Sequence, residues 1–264
     1  MKKIAQILAT ILACVMLVTT VAACGDSGSG SGASLTINEG ILVMATNADF
    51  PPYEFIGPGG EIVGIDPEIA AAIAEKLGKE LRIENMDFSS VLVAVETGMV
   101  DMAMAGLTIT EERKQSVNFT TSYANGVQAI IVQEGSSITH VDDLFAEGAF
   151  HTIGVQLSTT GDLYSTWDLE DEGLAVVERF NTGSDAIIAL VAGRIDAVII
   201  DNQPALSFVA ANPGLKKLET EFANEDYAIA VNLENTALLE AINEALAALK
   251  ADGTIQRILD KYIK

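Results

Sequence analysis

An α/β protein of two similar lobes is what this chain encodes, on three features of its sequence. Short apolar strands alternate with helices along most of its length. The segment GMVDMAMAG (98–106) returns as GRIDAVIID (193–201), each a helix end, a glycine, an aspartate three residues later and a short apolar strand. A fainter echo pairs ILVMATN (41–47) with TIGVQLS (152–158), the strands that open the two halves. One helix-Gly-x-x-Asp-strand match is common in α/β folds; two in the same order point to a duplicated lobe.

Residues 1–23 read as an export signal rather than a fold: Lys2-Lys3, an apolar run from Ile7 to Val18, and the small pair Ala22-Ala23. That run is shorter than the ~20 residues a membrane-spanning helix needs, and no later segment reaches that length, so a soluble mature domain is expected. Cys24 heads the mature chain, and residues 24–35 form a Gly/Ser tether. Its run GDSGSGSGAS reaches roughly 17 Å as a flexible coil. Ile41 to Ala45 then reads as a strand. Asp66 to Leu77 reads as a helix, with Pro67 at its first position and Gly78 just past its end, and Leu81 to Ile83 as a second strand. Ser89 caps a helix that runs to Thr97 and stops at Gly98. Thr110 caps another that opens Glu111-Glu112-Arg113. Asn235 to Lys250 carries apolar residues at helical spacing.

Of 264 residues, 49% are hydrophobic, enough for one large core or two smaller ones. Removing Lys2 and Lys3 leaves 13 Lys+Arg against 37 Asp+Glu and moves the net charge from −22 to −24. Nucleic acid is therefore excluded as a partner, because phosphate binding needs a basic surface. Cys14 lies in the leader, so Cys24 is left alone and no internal disulfide can form, although exported proteins meet an oxidising compartment. His140 and His151 have no cysteine or acidic partner at metal-ligand spacing, and neither a metal nor a cofactor is expected.

In open α/β sheets, ligands bind beyond the carboxyl ends of the strands, where loops present polar side chains and helix N-termini. Those ends carry Asn47 and Asp49; Gly106 and Thr108; Ser158, Thr159 and Thr160; and Asp201. If the lobes face each other, all four sets meet in one cleft. Arg113 places a cation at the third position of its helix, where the macrodipole favours anions. Its forked donor, the Thr108 hydroxyl and the main-chain N–H groups of the Ser158-Thr159-Thr160 turn suit a carboxylate, while Asp201 suits an ammonium. An α-amino acid carries both charges a few ångströms apart. Phe50 and Phe88 supply rings to clamp an aliphatic side chain.

These segments together resemble bacterial extracellular solute-binding proteins of family 3, the polar amino-acid receptors of ABC importers. The likeness runs through ATNADFPPYEF (45–55), GIDPEIAAAIAEKLGK (64–79), MDFSSVLVAVETGMVDMAMAGLTITEER (86–113), GVQLSTTGD (154–162), GRIDAVIIDNQPA (193–205), YAIAV (227–231) and LKADGTIQRILDKYI (249–263). The resemblance implies the type II periplasmic-binding fold, two α/β lobes on two hinge strands. Lobe 1 would hold 36–124 and 227–264, lobe 2 125–226, and the hinges would fall near 123–128 and 222–227. It also implies site roles. Arg113 and Thr108 would hold the ligand carboxylate with the main chain of Ser158, Thr159 and Thr160; Gly106 (by its main chain) and Asp201 would hold the ammonium; Phe50 and Phe88 would sandwich the side chain. Asn47 stands where the family often has an aspartate, and Gln156 where some relatives have a lysine. Both are neutral, so a polar, uncharged amino acid is expected. Val21-Ala22-Ala23-Cys24 resembles the lipobox, with Cys24 acylated. A monomer held by its lipid on the outer face of the cytoplasmic membrane would then deliver its ligand to a permease and its ATPase.

Plainer roles compete for the same residues. Arg113 could pair with Glu111 or Glu112; Asp201 could be only an N-cap for a helix near Gln203-Pro204; Phe88 could be a hydrophobic staple on Val93. Two other functions fit the same fold: a cyclohexadienyl or arogenate dehydratase-like enzyme, and a ligand-sensing partner of a signalling receptor. The cleft residues include no activated nucleophile, histidine base or metal cluster, and no enzyme is expected.

Overall fold

The computed structural model describes residues 34–263, so the expected leader, Cys24 and most of the tether lie outside the described residues. In chain order the strands of the first half are β1 (Ile41–Thr46), β2 (Asp49–Phe50), β3 (Glu54–Ile56), β4 (Ile62–Val63), β5 (Glu80–Asn85), β6 (Met102–Ala103) and β7 (Val117–Phe119). Those that follow are β8 (Ala124–Gln133), β9 (His151–Gln156), β10 (Ala175–Phe180), β11 (Ala197–Asp201), β12 (Leu215–Tyr227) and β13 (Ala230–Asn232). The helices are α1 (Ile65–Lys76), α2 (Phe88–Glu96), α3 (Thr160–Ser165), α4 (Gly183–Val191), α5 (Asn202–Ala211), α6 (Thr236–Ala251) and α7 (Thr254–Tyr262).

Two five-stranded sheets have matching topologies, β5-β1-β6-β13-β7 and β10-β9-β11-β8-β12. In each, the first three strands are parallel and the remaining strands join antiparallel. A small sheet, β2-β3-β4, extends the first half. This is the two-lobed α/β fold the sequence predicts.

The repeated aspartates explain why the two halves share a pattern. Asp101 accepts the Val43 N–H of β1 at 2.8 Å, and Asp196 accepts the Thr152 N–H of β9 at 2.7 Å. Each pins the start of one strand to the turn before its parallel neighbour. Gly98 and Gly193 supply the positive φ (70° and 68°) that ends the preceding helix. The same contacts correct the fainter echo by two residues. Because Val43 matches Thr152, and Met44 and Ile153 pair with Met102 and Ala197, the counterpart of Asn47 is Gln156 rather than Ser158.

Both sheets are covered on both faces, which is why their strands read as apolar runs. In the first, Leu42 and Met44 face α1, α6 and α7, while Val43 and Ala45 face Val91, Ala94 and Val95 of α2. In the second, Ile153, Val155 and Ile199 pack with Leu144 and Leu169, while Val198 and Ile200 pack with Ala186, Ile187 and Leu190 of α4. Among the described residues no helix is long and apolar enough to cross a membrane.

Several termini differ from the sequence reading. Helix α1 starts at Ile65, one residue before the expected Asp66. Helix α2 starts at Phe88 with Asp87 as its N-cap, so Ser89 lies inside the first turn. Both residue types cap well, and local sequence does not choose between them. Phe88 therefore holds the first helical position, not the N′ place of a hydrophobic staple. Asn235 is the cap of α6, accepting the Leu238 N–H at 3.2 Å, rather than its first residue. Thr110 does accept the Arg113 N–H, at 3.1 Å, but only a single 3-10 turn, Arg113–Gln115, follows. So short an element has little dipole, and Arg113 is explained by where its side chain goes.

Candidate functional site

The carboxyl ends of the parallel strands of both sheets open onto one small cavity. Nine of the eleven expected residues line it: Asn47, Phe50, Phe88, Gly106, Arg113, Gln156, Thr159, Thr160 and Asp201. Thr108 and Ser158 stand immediately behind, each presenting its carbonyl to Arg113.

Arg113 dominates one end. It is buried, and its guanidinium donates to Thr108 O at 3.0 Å and, across the cleft, to Ser158 O at 3.1 Å. No ion pair among the described residues includes it, so the expected alternative partners, Glu111 and Glu112, do not hold it. Glu111 pairs with Lys114 instead. Burial lowers the Arg113 pKa, and Glu225 is the foremost charge opposing that shift. The guanidinium carries five N–H donors and spends two on these carbonyls, so a fork remains for an anion. The Phe88 ring lies 5.7 Å from its Cζ, which fixes the plane of the fork and gives Phe88 a role the sequence reading missed.

The facing turn is tighter than expected. Ser158 adopts a left-handed φ of 66°, and its N–H goes to Asp162 at 2.9 Å. Asp162 is itself held by Arg179 at 2.8 Å. The Ser158 N–H is thus committed, and the donors of this turn are those of Thr160 and Gly161 in the first turn of α3, which has no acceptor for them. The Thr108 hydroxyl is also committed, donating to Glu225 at 3.0 Å.

Asp201 marks another wall. It is buried and caps α5, accepting Gln203 N–H at 2.9 Å, Val127 N–H at 3.1 Å and the Tyr227 hydroxyl. The N-cap role and the cleft position therefore coexist, with one carboxylate lone pair left over. Burial lifts its pKa to about 6, and the Tyr227, Gln203 and Val127 donors restrain the rise. Gly106 is oriented by Asp66, which accepts its N–H at 3.1 Å and the Tyr123 hydroxyl at 2.7 Å. Burial lifts Asp66 to about 6 as well, and burial together with Asp66 raises Glu54 well above the usual range.

Asn47 and Gln156, counterparts in the two halves, bond to each other: Gln156 Nε2 donates to Asn47 Oδ1 at 3.0 Å and to Asn181 O at 3.2 Å. Phe50 stacks on Tyr53 at 5.7 Å, and Tyr53 meets Tyr227 edge-on at 5.2 Å. Ala105, Gln128, Ile200 and Tyr227 complete the lining without having been singled out. Gln128 left a signal, a polar residue inside the apolar strand VQAIIV (127–132). Among the described residues no cluster of His, Cys, Asp and Glu is arranged to hold a metal.

The model of bacterial extracellular solute-binding proteins, family 3, matches residues 42–264. The chain belongs to that family. Among curated relatives, ABC transporter arginine-binding protein 1 of Escherichia coli (strain K12) is 33% identical over 239 residues, covering 88% of this chain and 93% of the relative. An ancestral arginine-binding protein bound to arginine is 39% identical with a TM-score of 0.79, over 85% of this chain and 99% of that one. An ancestral arginine-binding protein bound to glutamine is 40% identical with a TM-score of 0.77, over 86% and 99%. An ancestral amino acid-binding protein, a precursor of cyclohexadienyl dehydratase, is 29% identical with a TM-score of 0.76, over 85% and 96%.

For this family member, one glycine ties β8 to the site. A Cβ on Gly126 would fall 2.3 Å from Tyr227 Cζ and 2.4 Å from its hydroxyl oxygen. Gly126→Ala should therefore push the ring off Asp201 and lower stability by about 2 kcal/mol, as for other overpacked cores. Denaturant titration of the ligand-free protein measures it.

Proposed function

We propose that this chain is the substrate-binding component of an amino-acid ABC importer. It takes an α-amino acid with a polar, uncharged side chain into the cleft and hands it to the permease and its ATPase. The observation that carries this reading is the cleft's polarity, with a buried guanidinium that joins no ion pair among the described residues at one end and the Asp201 carboxylate on the opposing lobe. Such a cleft matches a zwitterion, since each buried charge gains a partner only when both ends of the ligand are seated. The side-chain end meets the neutral amides Asn47 and Gln156, which suits an amide or hydroxyl better than a full charge.

β8 and β12 run antiparallel from Ala124↔Tyr227 to Gln133↔Leu215 and act as the hinge, with lobe 1 at 36–124 and 227–264 and lobe 2 at 125–226. Ser184 of α4 bonds Asp49 at 2.9 Å, and Gln156 bonds Asn47, so closure is supported by direct contacts between lobes. An acylated Cys24 and the Gly/Ser tether hold the monomer at the outer face of the cytoplasmic membrane. A second reading, arginine as ligand, is favoured by the arginine-binding relatives.

A thermal-shift screen of the twenty amino acids tests both. Stabilisation by glutamine, asparagine, serine or threonine supports the first, stabilisation by arginine alone replaces it with the second, and no shift with any amino acid overturns the importer reading.

A further inference from the structure

Glu225, the acceptor of the Thr108 hydroxyl, has no role yet in ligand choice. It stands on the hinge strand β12 opposite Gly126 of β8, on the face of the sheet that also carries Gln128 and Asp201. It is 6% exposed. Its Oε2 accepts the Thr108 hydroxyl at 3.0 Å and the Gln128 amide at 3.1 Å. Its Oε1 is buried with no hydrogen-bond partner among the described residues, as is Gln128 Oε1, and Gln128 lines the cavity.

The placement is unexpected on electrostatic grounds. Thr108 gives its carbonyl to Arg113 and its hydroxyl to Glu225, so the negative charge lies just behind the group that grips an anion. That charge is felt at both ends of the cleft: it supports the charged form of Arg113 and opposes that of Asp201. Asp201 and Glu225 together outweigh Arg113, leaving the cleft with one net negative charge. A zwitterion keeps that balance and a cation neutralises it. An anion brings a second negative charge into a water-poor space, where Coulomb energies are several times larger than in bulk water.

We propose that Glu225 is a specificity-determining residue, a fixed charge that bars net-negative ligands from a cleft whose arginine would otherwise welcome them. The inference rests on the amino-acid reading above. A purely structural Glu225, knitting Thr108 to Gln128, would affect all ligands alike; a charge filter changes their order.

Arginine, glutamine and glutamate share one head group and carry +1, 0 and −1. Their affinities, measured by competition calorimetry on the full chain, define a preference per unit of ligand charge. Glu225→Gln keeps the volume and the bonds to Thr108 and Gln128, and should flatten that preference about tenfold per charge, with glutamate gaining most. Glu225→Met removes the charge without an amide and should flatten it by the same factor, which keeps the proposal testable if the first variant does not fold. Thr108→Val, which removes the hydroxyl bond and leaves the charge, should leave it unmoved. Equal changes for all three ligands in the two charge variants overturn the filter while sparing the amino-acid reading. A wild-type chain that binds none of the twenty amino acids overturns both.

Discussion

Arg113→Ala should weaken amino-acid binding about a thousandfold, or roughly 4 kcal/mol, the usual cost of removing one partner from a buried, hydrogen-bonded charge pair. The size follows from the environment of the side chain. A buried guanidinium in no ion pair among the described residues is expensive to keep, and a bound anion repays that cost. Alanine also removes the bonds to Thr108 O and Ser158 O, the second of which links the two lobes, so closure loses a contact along with the ligand. Two controls separate these effects. The melting temperature of the ligand-free variant should stay within a few degrees of wild type, because the Thr110 cap and the lobe cores do not depend on the guanidinium. Arg113→Lys, which retains the charge and loses the fork, should recover only part of the affinity. Calorimetry returning wild-type affinity for Arg113→Ala would remove the carboxylate end of the site and the proposed function with it.

How far the sequence could foretell this site depends on the kind of information each residue carries. Asp101 and Asp196 were legible as a repeat because each makes a local contact fixed by spacing, to Val43 and Thr152. Asn47 and Gln156 were legible as strand ends, yet their mutual bond required a register two residues away from the visible echo. Ser158 and Thr108 were expected to give hydrogen-bond donors directly to a ligand. Asp162 and Glu225 take those donors first, and neither competitor can be read from the motif itself. Tyr227 and Glu225 act across distances of 26 and 117 residues, to Asp201 and Thr108, where no periodicity reaches. Local pattern thus found the strand ends and the charges. The allocation of hydrogen bonds among them is a tertiary property.

Asp201→Asn is expected to weaken α-amino acids about a hundredfold, while hydroxy-acid analogues that lack the ammonium lose almost nothing; the difference is the worth of one buried charge-assisted contact, about 3 kcal/mol. Asparagine caps helices as well as aspartate does, so α5 keeps its start. Its amide nitrogen cannot accept the Val127 N–H, a loss common to both ligand classes, so their difference isolates the electrostatic part. Equal losses for both ligand classes would strip Asp201 of its ammonium role. The pH dependence gives an independent check. Burial raises Asp201 and Asp66 from 3.8 to about 6 in the fold, so the stability each contributes is fully present below 3.8 and is lost as pH rises through about 6. The ligand-free protein should therefore be less stable at pH 7 than at pH 5, by about 1 kcal/mol per group, and melt at a lower temperature. An ammonium ligand needs the ionised carboxylate and acts the other way. Affinity should rise about tenfold between pH 5 and pH 7.5 as Asp201 gives up its proton, with proton release detectable by calorimetry in buffers of different ionisation enthalpy. Stability and affinity then slope in opposite directions over one pH window. In Asp201→Asn the affinity slope should vanish, whereas the stability slope should persist at reduced size because Asp66 and Glu54 still titrate.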